Sequence, residues 1–317
     1  MKQTPFELAH ATEWDEFEAF LDQKSSFDPA QMPARFRRIS QHLALAAERR
    51  YSAGLVDRLN RLALRGHHAL YSNRRRESQQ LLAFMLAGFP RLVRREWRLV
   101  SAAAILFFGP LLALIAALQQ FPDFAHYLLT PEQIANFHQM YDPANRRIGM
   151  READTNVLMF GFYIWNNVRI GFQTFAGGML AGLGSAWFLG ANGVIIGAVA
   201  GYLTHAGYSE TFWSFVAGHS APELGAIVLS GAAGLRLGLA VIAPGNLSRK
   251  AALVAAAKPA VRIMYGAALM FLAAAFIEAF WSPLTEMPFN AKIAVGIAGW
   301  VLLLAYLGFA GRARAAR

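Results

Sequence analysis

The run NNVRIGFQTFAGGMLAGLGSAWFLGANGVIIGAVAGYLTH (166–205), continued by AGYSETFWSFVAGHSAPELGAIVLSGAAGLRLGLAVIAPG (206–245), decides how the chain is read. It holds three long apolar stretches, rich in glycine and interrupted by Asn166, Asn167, Arg169, Asn192, His205, His219, Glu223 and Arg236. Each stretch is near the length of about 20 residues that crosses a hydrocarbon core as a helix. A charge or a paired amide at that depth costs several kcal/mol unless it faces protein or water. The block therefore predicts a helical membrane bundle that encloses a buried polar site.

Working outward, composition supports the same class. The chain has 317 residues, 56% hydrophobic and 16% charged, where a soluble domain carries about 25% charged residues. The deficit is local: residues 1–98 are ordinary in polarity and 99–317 strongly apolar. This predicts a cytoplasmic basic helical domain (1–98) followed by a transmembrane domain (99–317). There are no cysteines, which excludes disulfides and thiol chemistry. The net charge of +10 is read as the positive-inside bias plus contact with anionic membrane lipids. No nucleic-acid module is recognisable, so no nucleic-acid partner is expected. The polar, acidic start MKQTPFELAHATEWDEFEAF is not a signal peptide.

Before the membrane, residues 1–24 read as a short helix with Thr12 and Asp15 as a capping box and an apolar face of Trp14, Phe17, Phe20 and Leu21. Pro29 and Pro33 mark a break. Residues 34–51 and 53–72 read as amphipathic helices with stripes of Phe36, Ile39, Leu43, Ala46 and Ala47, then Leu55, Leu59, Leu62 and Leu70. Arg74, Arg75 and Arg76 open a further helix, and Arg91, Arg94, Arg95 and Arg98 lead into the membrane.

The expected spans are 99–118, kinked at Gly109-Pro110; 168–189; 194–203; 222–243; 261–281; and 293–309. The second and third are joined by a tight turn at Gly190-Ala191-Asn192-Gly193. An outer loop covers about 120–158, with an N-cap at Thr130 before Pro131, and an interfacial or re-entrant segment covers about 207–221. Val157 to Trp165 reads as an aromatic belt. Arginine-rich clusters fall on one side except for Arg146, Arg147 and Arg151, which acids accompany. The fold class is thus all-α: a polytopic membrane helix bundle of about six transmembrane helices, both termini inside.

Helices in lipid associate through close backbone approach and polar contacts, because lipid tails are as apolar as leucine. Gly178 and Gly182, then Gly193, Gly197 and Gly201, then Gly234 and Gly238 are spaced by four and supply packing faces on three consecutive helices. Packing within one chain and dimerisation are both open uses of such rows.

The polar residues form the candidate site. Asn166, Asn167 and Arg169 fall at a depth similar to that of His219 and Glu223, with Asn192 on the third span. Three readings of Glu223 stay open. It is the third position of a Ser220-to-Glu223 capping box, the partner of Arg169 in a buried salt bridge, or a ligand-binding or proton-linked carboxylate. Arg236 has no evident partner. Glu278, near the outer end of the fifth span, cannot easily meet it and is free to join the outer cluster. A zinc site needs three or four protein ligands. His205 is the only nearby addition to His219 and Glu223, and no HExxH pattern exists, so neither metal nor cofactor is expected. With no GxSxG elbow and no Walker loop, no catalytic residues are assigned and an enzyme is not expected.

At these residues the chain resembles the stage II sporulation protein M family. The match covers the Asn166-Asn167 pair, the glycine-rich span, Asn192-Gly193 followed by Gly197, and His219-x-x-x-Glu223-Leu224 leading into Gly231 and Gly234. The family pattern has glycine after the histidine, where this chain has Ser220. The resemblance implies a multipass protein of the bacterial cytoplasmic (inner) membrane without known catalytic activity. The long basic N-terminal domain looks like the variant of non-sporulating bacteria, encoded near a MoxR-type AAA+ ATPase. The expected function is a non-enzymatic membrane scaffold, homo-oligomeric, that organises cell-envelope enzymes or such an ATPase. The alternative is a transporter or permease subunit with a polar site between the second and fourth spans.

Overall fold

The computed structural model describes residues 2–22, 28, 31–142, 153–284 and 286–312, apart from the side chains at 71–78 and 153–155. Arg146, Arg147, Arg151, Arg314 and Arg317 lie outside the described residues, as do the side chains of Arg74, Arg75 and Arg76. All regular structure among the described residues is helical. The chain divides into two compact units, Met1–Phe84 and Met85–Arg317. The boundary falls before the expected 98, because residues 85–98 pack among the helices of the second unit.

The first unit has three helices: α1 (Gln3–Leu21), α2 (Met32–Glu48) and α3 (Ala53–Ala83). The leucine and aromatic stripes meet in one core of Phe6, Trp14, Phe17, Ile39, Ala46, Leu59 and Leu62. Gly66 lets α3 approach the rings of Phe17 and Phe36, where a Cβ would lie 2.9–3.0 Å from them. Around this core, arginines of α2 and α3 pair with acids of α1: Arg35 with Glu16 at 2.9 Å, Arg38 with Glu13 at 2.8 Å and Arg58 with Asp15 at 2.5 Å. Two expectations change. Thr12 and Asp15 sit inside α1, which begins at Gln3 without a side-chain cap. Residues 53–83 form one helix rather than two.

A π-helical turn, Phe84–Gly88, starts at the last residue of the first unit, and the short α4 (Phe89–Arg95) follows it in the second. Six long helices follow: α5 (Trp97–Gln120), α8 (Ala153–Ala176), α9 (Leu183–His205), α10 (Ser209–Ile242), α11 (Arg249–Phe276, extended by a π turn at Ile277–Trp281) and α12 (Phe289–Phe309). Between α5 and α8 lie the short α6 (Ala125–Leu128) and α7 (Pro131–Tyr141). Thr130 caps α7: its hydroxyl accepts from the Gln133 amide at 3.2 Å, and Gln133 Oε1 accepts from the Thr130 amide at 2.9 Å. Among the described residues, five helices (α5, α9, α10, α11 and α12) are long and apolar enough to cross a membrane. α8 is long but carries Asn166, Asn167 and Arg169. It does not match the expected second span: 168–189 is divided between the end of α8 and the start of α9, and Val157 to Trp165, expected as an interfacial belt after an outer loop to about 158, is interior to α8.

α10 is the central helix. It packs against α5, α8, α9, α11 and α12, and 61% of its apolar window is buried, against 11% for α12. Its glycines explain how it holds so many neighbours. A Cβ on Gly178 would lie 2.1 Å from Gly234 O, and one on Gly238 would lie 2.2 Å from Gly182 N. The row Gly193, Gly197 and Gly201 on α9 meets the α5 backbone at Phe107, Leu111 and Ile115 in the same way. All seven glycines of these rows therefore face backbone of their own chain.

The turn between the second and third expected spans moves. Gly190-Ala191-Asn192-Gly193 is interior to α9. The chain reverses instead at Gly177–Gly182, where Ala181 (φ 53°) and Gly182 (φ 83°) adopt left-handed backbone, a conformation glycine takes without steric cost. The segment 207–221, expected to be interfacial or re-entrant, belongs to the continuous helix α10 apart from a short link at Gly207 and Tyr208.

Candidate functional site

One turn of α10 places His219 and Glu223 on the same face, since residues four apart are neighbours on a helix. His219 is buried and Glu223 partly buried, with His219 Nε2 3.6 Å from Glu223 Oε2. Ser220 is interior to α10, so the capping box does not form. Its hydroxyl donates to Ala217 O at 2.9 Å and accepts from Trp300 Nε1 at 3.1 Å. Pro222 inside the helix lacks an N–H and leaves the carbonyl four residues earlier unpaired in the ladder. Gly218, that residue, packs against the Trp281 ring, where a Cβ would lie 2.1 Å away.

The π turn at Ile277–Trp281 completes the site. It closes with the Ser282 amide donating to Ile277 O at 2.8 Å, a widening found often at functional positions. Glu278 lies in this turn, and its carboxylate, that of Glu223 and the His219 imidazole bring ligand atoms within 4.8 Å of one another. Ser282, fully buried, meets His219 Nδ1 through Oγ at 3.0 Å. Its carbonyl accepts from Lys292 Nζ, on the first turn of α12, at 2.8 Å. Lys292 is 5% exposed and lies over the Trp281 ring at 5.8 Å. Glu223, His219, Ser282 and Lys292 thus form a chain of polar contacts across three helices, with Glu278 beside it. Tyr141, at the end of α7, feels the same site: burial first, and the Glu278 charge next, push its phenol above the ordinary range.

The other expected residues lie elsewhere. Arg169 does not pair with Glu223. It is exposed, stacks over Trp165 at 4.7 Å and meets Asn166 Oδ1 at 3.4 Å. Asn167 is buried, 3.4 Å from Asn166 Nδ2, with its own Nδ2 unpaired. Asn192 bonds to Phe188 O of its own helix at 2.7 Å. Arg236 finds Glu96, a residue the sequence did not single out, at 2.5 Å. Glu278 does enter the His219–Glu223 cluster, one of the courses open to it. Lys292 and Ser282 were legible only as a lone lysine and a lone serine bordering apolar runs.

The profile of the family described as Stage II sporulation protein M matches residues 102–283, which span α5 to the π turn. A domain of unknown function matches residues 4–72. No curated protein and no solved structure matches the chain.

Proposed function

This chain belongs to the stage II sporulation protein M family, and from that premise we propose that it is a non-enzymatic multipass scaffold of the bacterial inner membrane, with both termini in the cytoplasm. The observation that carries the reading is the division of labour between its two units. The family match lies wholly in the second, while Met1–Phe84 has a separate core and a separate domain match. An independently packed unit joined to a membrane bundle is a form suited to recruiting another protein. Leu8 and Leu64 are more than half exposed on it and offer apolar contacts. The partners proposed are a MoxR-type AAA+ ATPase or cell-envelope enzymes, and the chain is proposed to self-associate. The glycine rows are occupied within the chain, so a second copy would meet other surfaces, such as the sparsely buried α12.

The permease reading needs a polar path from Glu223 toward Asn192. Asn192 bonds to its own helix, and nothing in the arrangement favours that alternative.

The test is proximity labelling and cross-linking of the full chain in its native membrane, compared with a chain lacking residues 1–84. The scaffold reading expects a recurrent protein partner whose capture requires residues 1–84, with the shortened chain still in the membrane. Equal capture by both forms would refute the docking role. A cytoplasmic reporter fused after residue 312 should be active; activity only of a periplasmic reporter would refute the orientation.

A further inference from the structure

We propose that His219, Glu223 and Glu278 form a binding site for a divalent transition-metal ion of the zinc or manganese class, fastening α10 to the end of α11. The inference is independent of the scaffold reading.

Three ligand atoms converge from two helices, all within 4.8 Å of one another. His219 Nε2 and Glu223 Oε2, 3.6 Å apart, are too far for a good hydrogen bond. That separation suits two bonds to one ion, because bonds of about 2.0–2.2 Å in tetrahedral geometry put neighbouring ligand atoms roughly 3.3–3.6 Å apart. The imidazole is also held as metal-ligating histidines are held. Its second nitrogen, Nδ1, is fixed by Ser282 Oγ at 3.0 Å, leaving Nε2 toward Glu223. One imidazole and two carboxylates make a mixed nitrogen and oxygen donor set, suited to borderline and hard divalent ions, with room for water.

Lys292, 5% exposed, donates its ammonium to Ser282 O, not to the Oγ that meets the imidazole, and lies over the Trp281 ring. The backbone serves the same geometry: the π turn sets Glu278 and Ser282 against the His219 face of α10.

A second trio, His10, Glu13 and His42, lies in the first unit, with ligand atoms also within 4.8 Å of one another. It is a weaker candidate. Glu13 is paired with Arg38 at 2.8 Å, and His42 Nδ1 accepts from Trp14 Nε1 at 3.1 Å. That bond places the proton of the neutral ring on Nε2 and removes the lone pair a metal needs.

The test uses the full-length protein in detergent after washing with chelator. Zinc is titrated by calorimetry, and the bound metal is counted by elemental analysis; manganese is the second probe. One ion per chain is expected. H219A, E223Q and E278Q should each weaken uptake at least tenfold, and S282A by about 10–100-fold, the effect typical of a lost outer-shell partner. H10A and R169A should leave it unchanged. Zinc should raise the unfolding temperature of the wild type and of H10A but not of E278Q. A wild type that takes up neither metal overturns the proposal whatever the variants do. Uptake that survives in both H219A and E278Q, or that disappears in H10A, also overturns it.

Discussion

Arg236, in the cytoplasm-proximal half of α10 on the proposed orientation, forms an ion pair with Glu96 at the start of α5, Nη1 to Oε2 at 2.5 Å. Glu96 is only 8% exposed. Removing one partner of a buried pair leaves an uncompensated charge and typically costs about 3–5 kcal/mol. R236A should therefore lower the unfolding midpoint of the detergent-solubilised chain markedly. Replacing both partners by methionine should recover much of the loss. A double variant no more stable than R236A would show that the pair does more than neutralise itself.

The glycine contacts predict a graded set of alanine substitutions. G178A and G238A place a methyl about 2 Å from backbone atoms of the facing helix, which cannot rotate away. Overpacking of this kind typically costs ~1–3 kcal/mol. Gly190 and Gly109 have nothing within 4 Å of an added Cβ, so G190A and G109A should be neutral or slightly stabilising. Thermal unfolding of the four variants side by side checks the order. If G178A were as stable as G190A, the close approach of Gly178 to Gly234 would be wrong.

The first unit should respond to acid at His42. Burial lowers its pKa below the ordinary 6.5, and the neighbouring His10 adds to the shift. The folded unit then binds fewer protons than the unfolded chain between the two values. Stability is complete above about pH 6.5 and declines as pH falls toward the folded value. Protonation of Nδ1 also removes the acceptor for Trp14 Nε1. Hydrogen exchange of residues 3–21 should quicken as pH is lowered through that window, after correction for the intrinsic rate. In a H42Q variant that pH dependence should be lost.

Arg94 ties α4 to the end of α12, donating to Leu307 O at 2.6 Å and Ala310 O at 2.8 Å. These are carbonyls that a helix C-terminus leaves without partners, and a cation there also favours the helix dipole by about 0.3–1 kcal/mol. R94A should fray the last turn of α12, seen as faster exchange at residues 307–312 with little change in α5. R94K should restore only part of the protection, because one ammonium replaces a two-pronged donor.

Much of the architecture was legible because lipid imposes a simple rule on composition. The apolar runs located five helices of span length, and the Thr130-Pro131 start of α7 was readable from local chemistry alone. Glycine was the main source of misreading. Gly190 and Gly193 look like turn residues, yet Gly193 exists to admit the Phe107 carbonyl, while the true reversal sits at Ala181 and Gly182. Local sequence does not distinguish a glycine needed for a neighbour's approach from one needed for its own backbone. The site was half legible for a related reason. His219 and Glu223 are neighbours along one helix, whereas Glu278, Ser282 and Lys292 reach them only through the packing of α11 and α12 against α10. Ser220 and Glu223 read as a cap because Pro222 suggests a helix start. Trp300 reaching Ser220 from α12 and the continuous helix from Ser209 show how tertiary context overrides that local signal.

The central place of α10 also constrains how the protein is made. Synthesis delivers α10 before α11 and α12, yet both are needed to enclose His219 and Glu223. For that interval the nascent chain carries an unshielded imidazole and carboxylate into the bilayer. Insertion of α10 on its own is therefore costly, and its stable residence depends on the hairpin that follows. A ribosome stalled near residue 248 leaves α10 without the helices that cover its imidazole and carboxylate, a state for membrane chaperones and proteases to recognise.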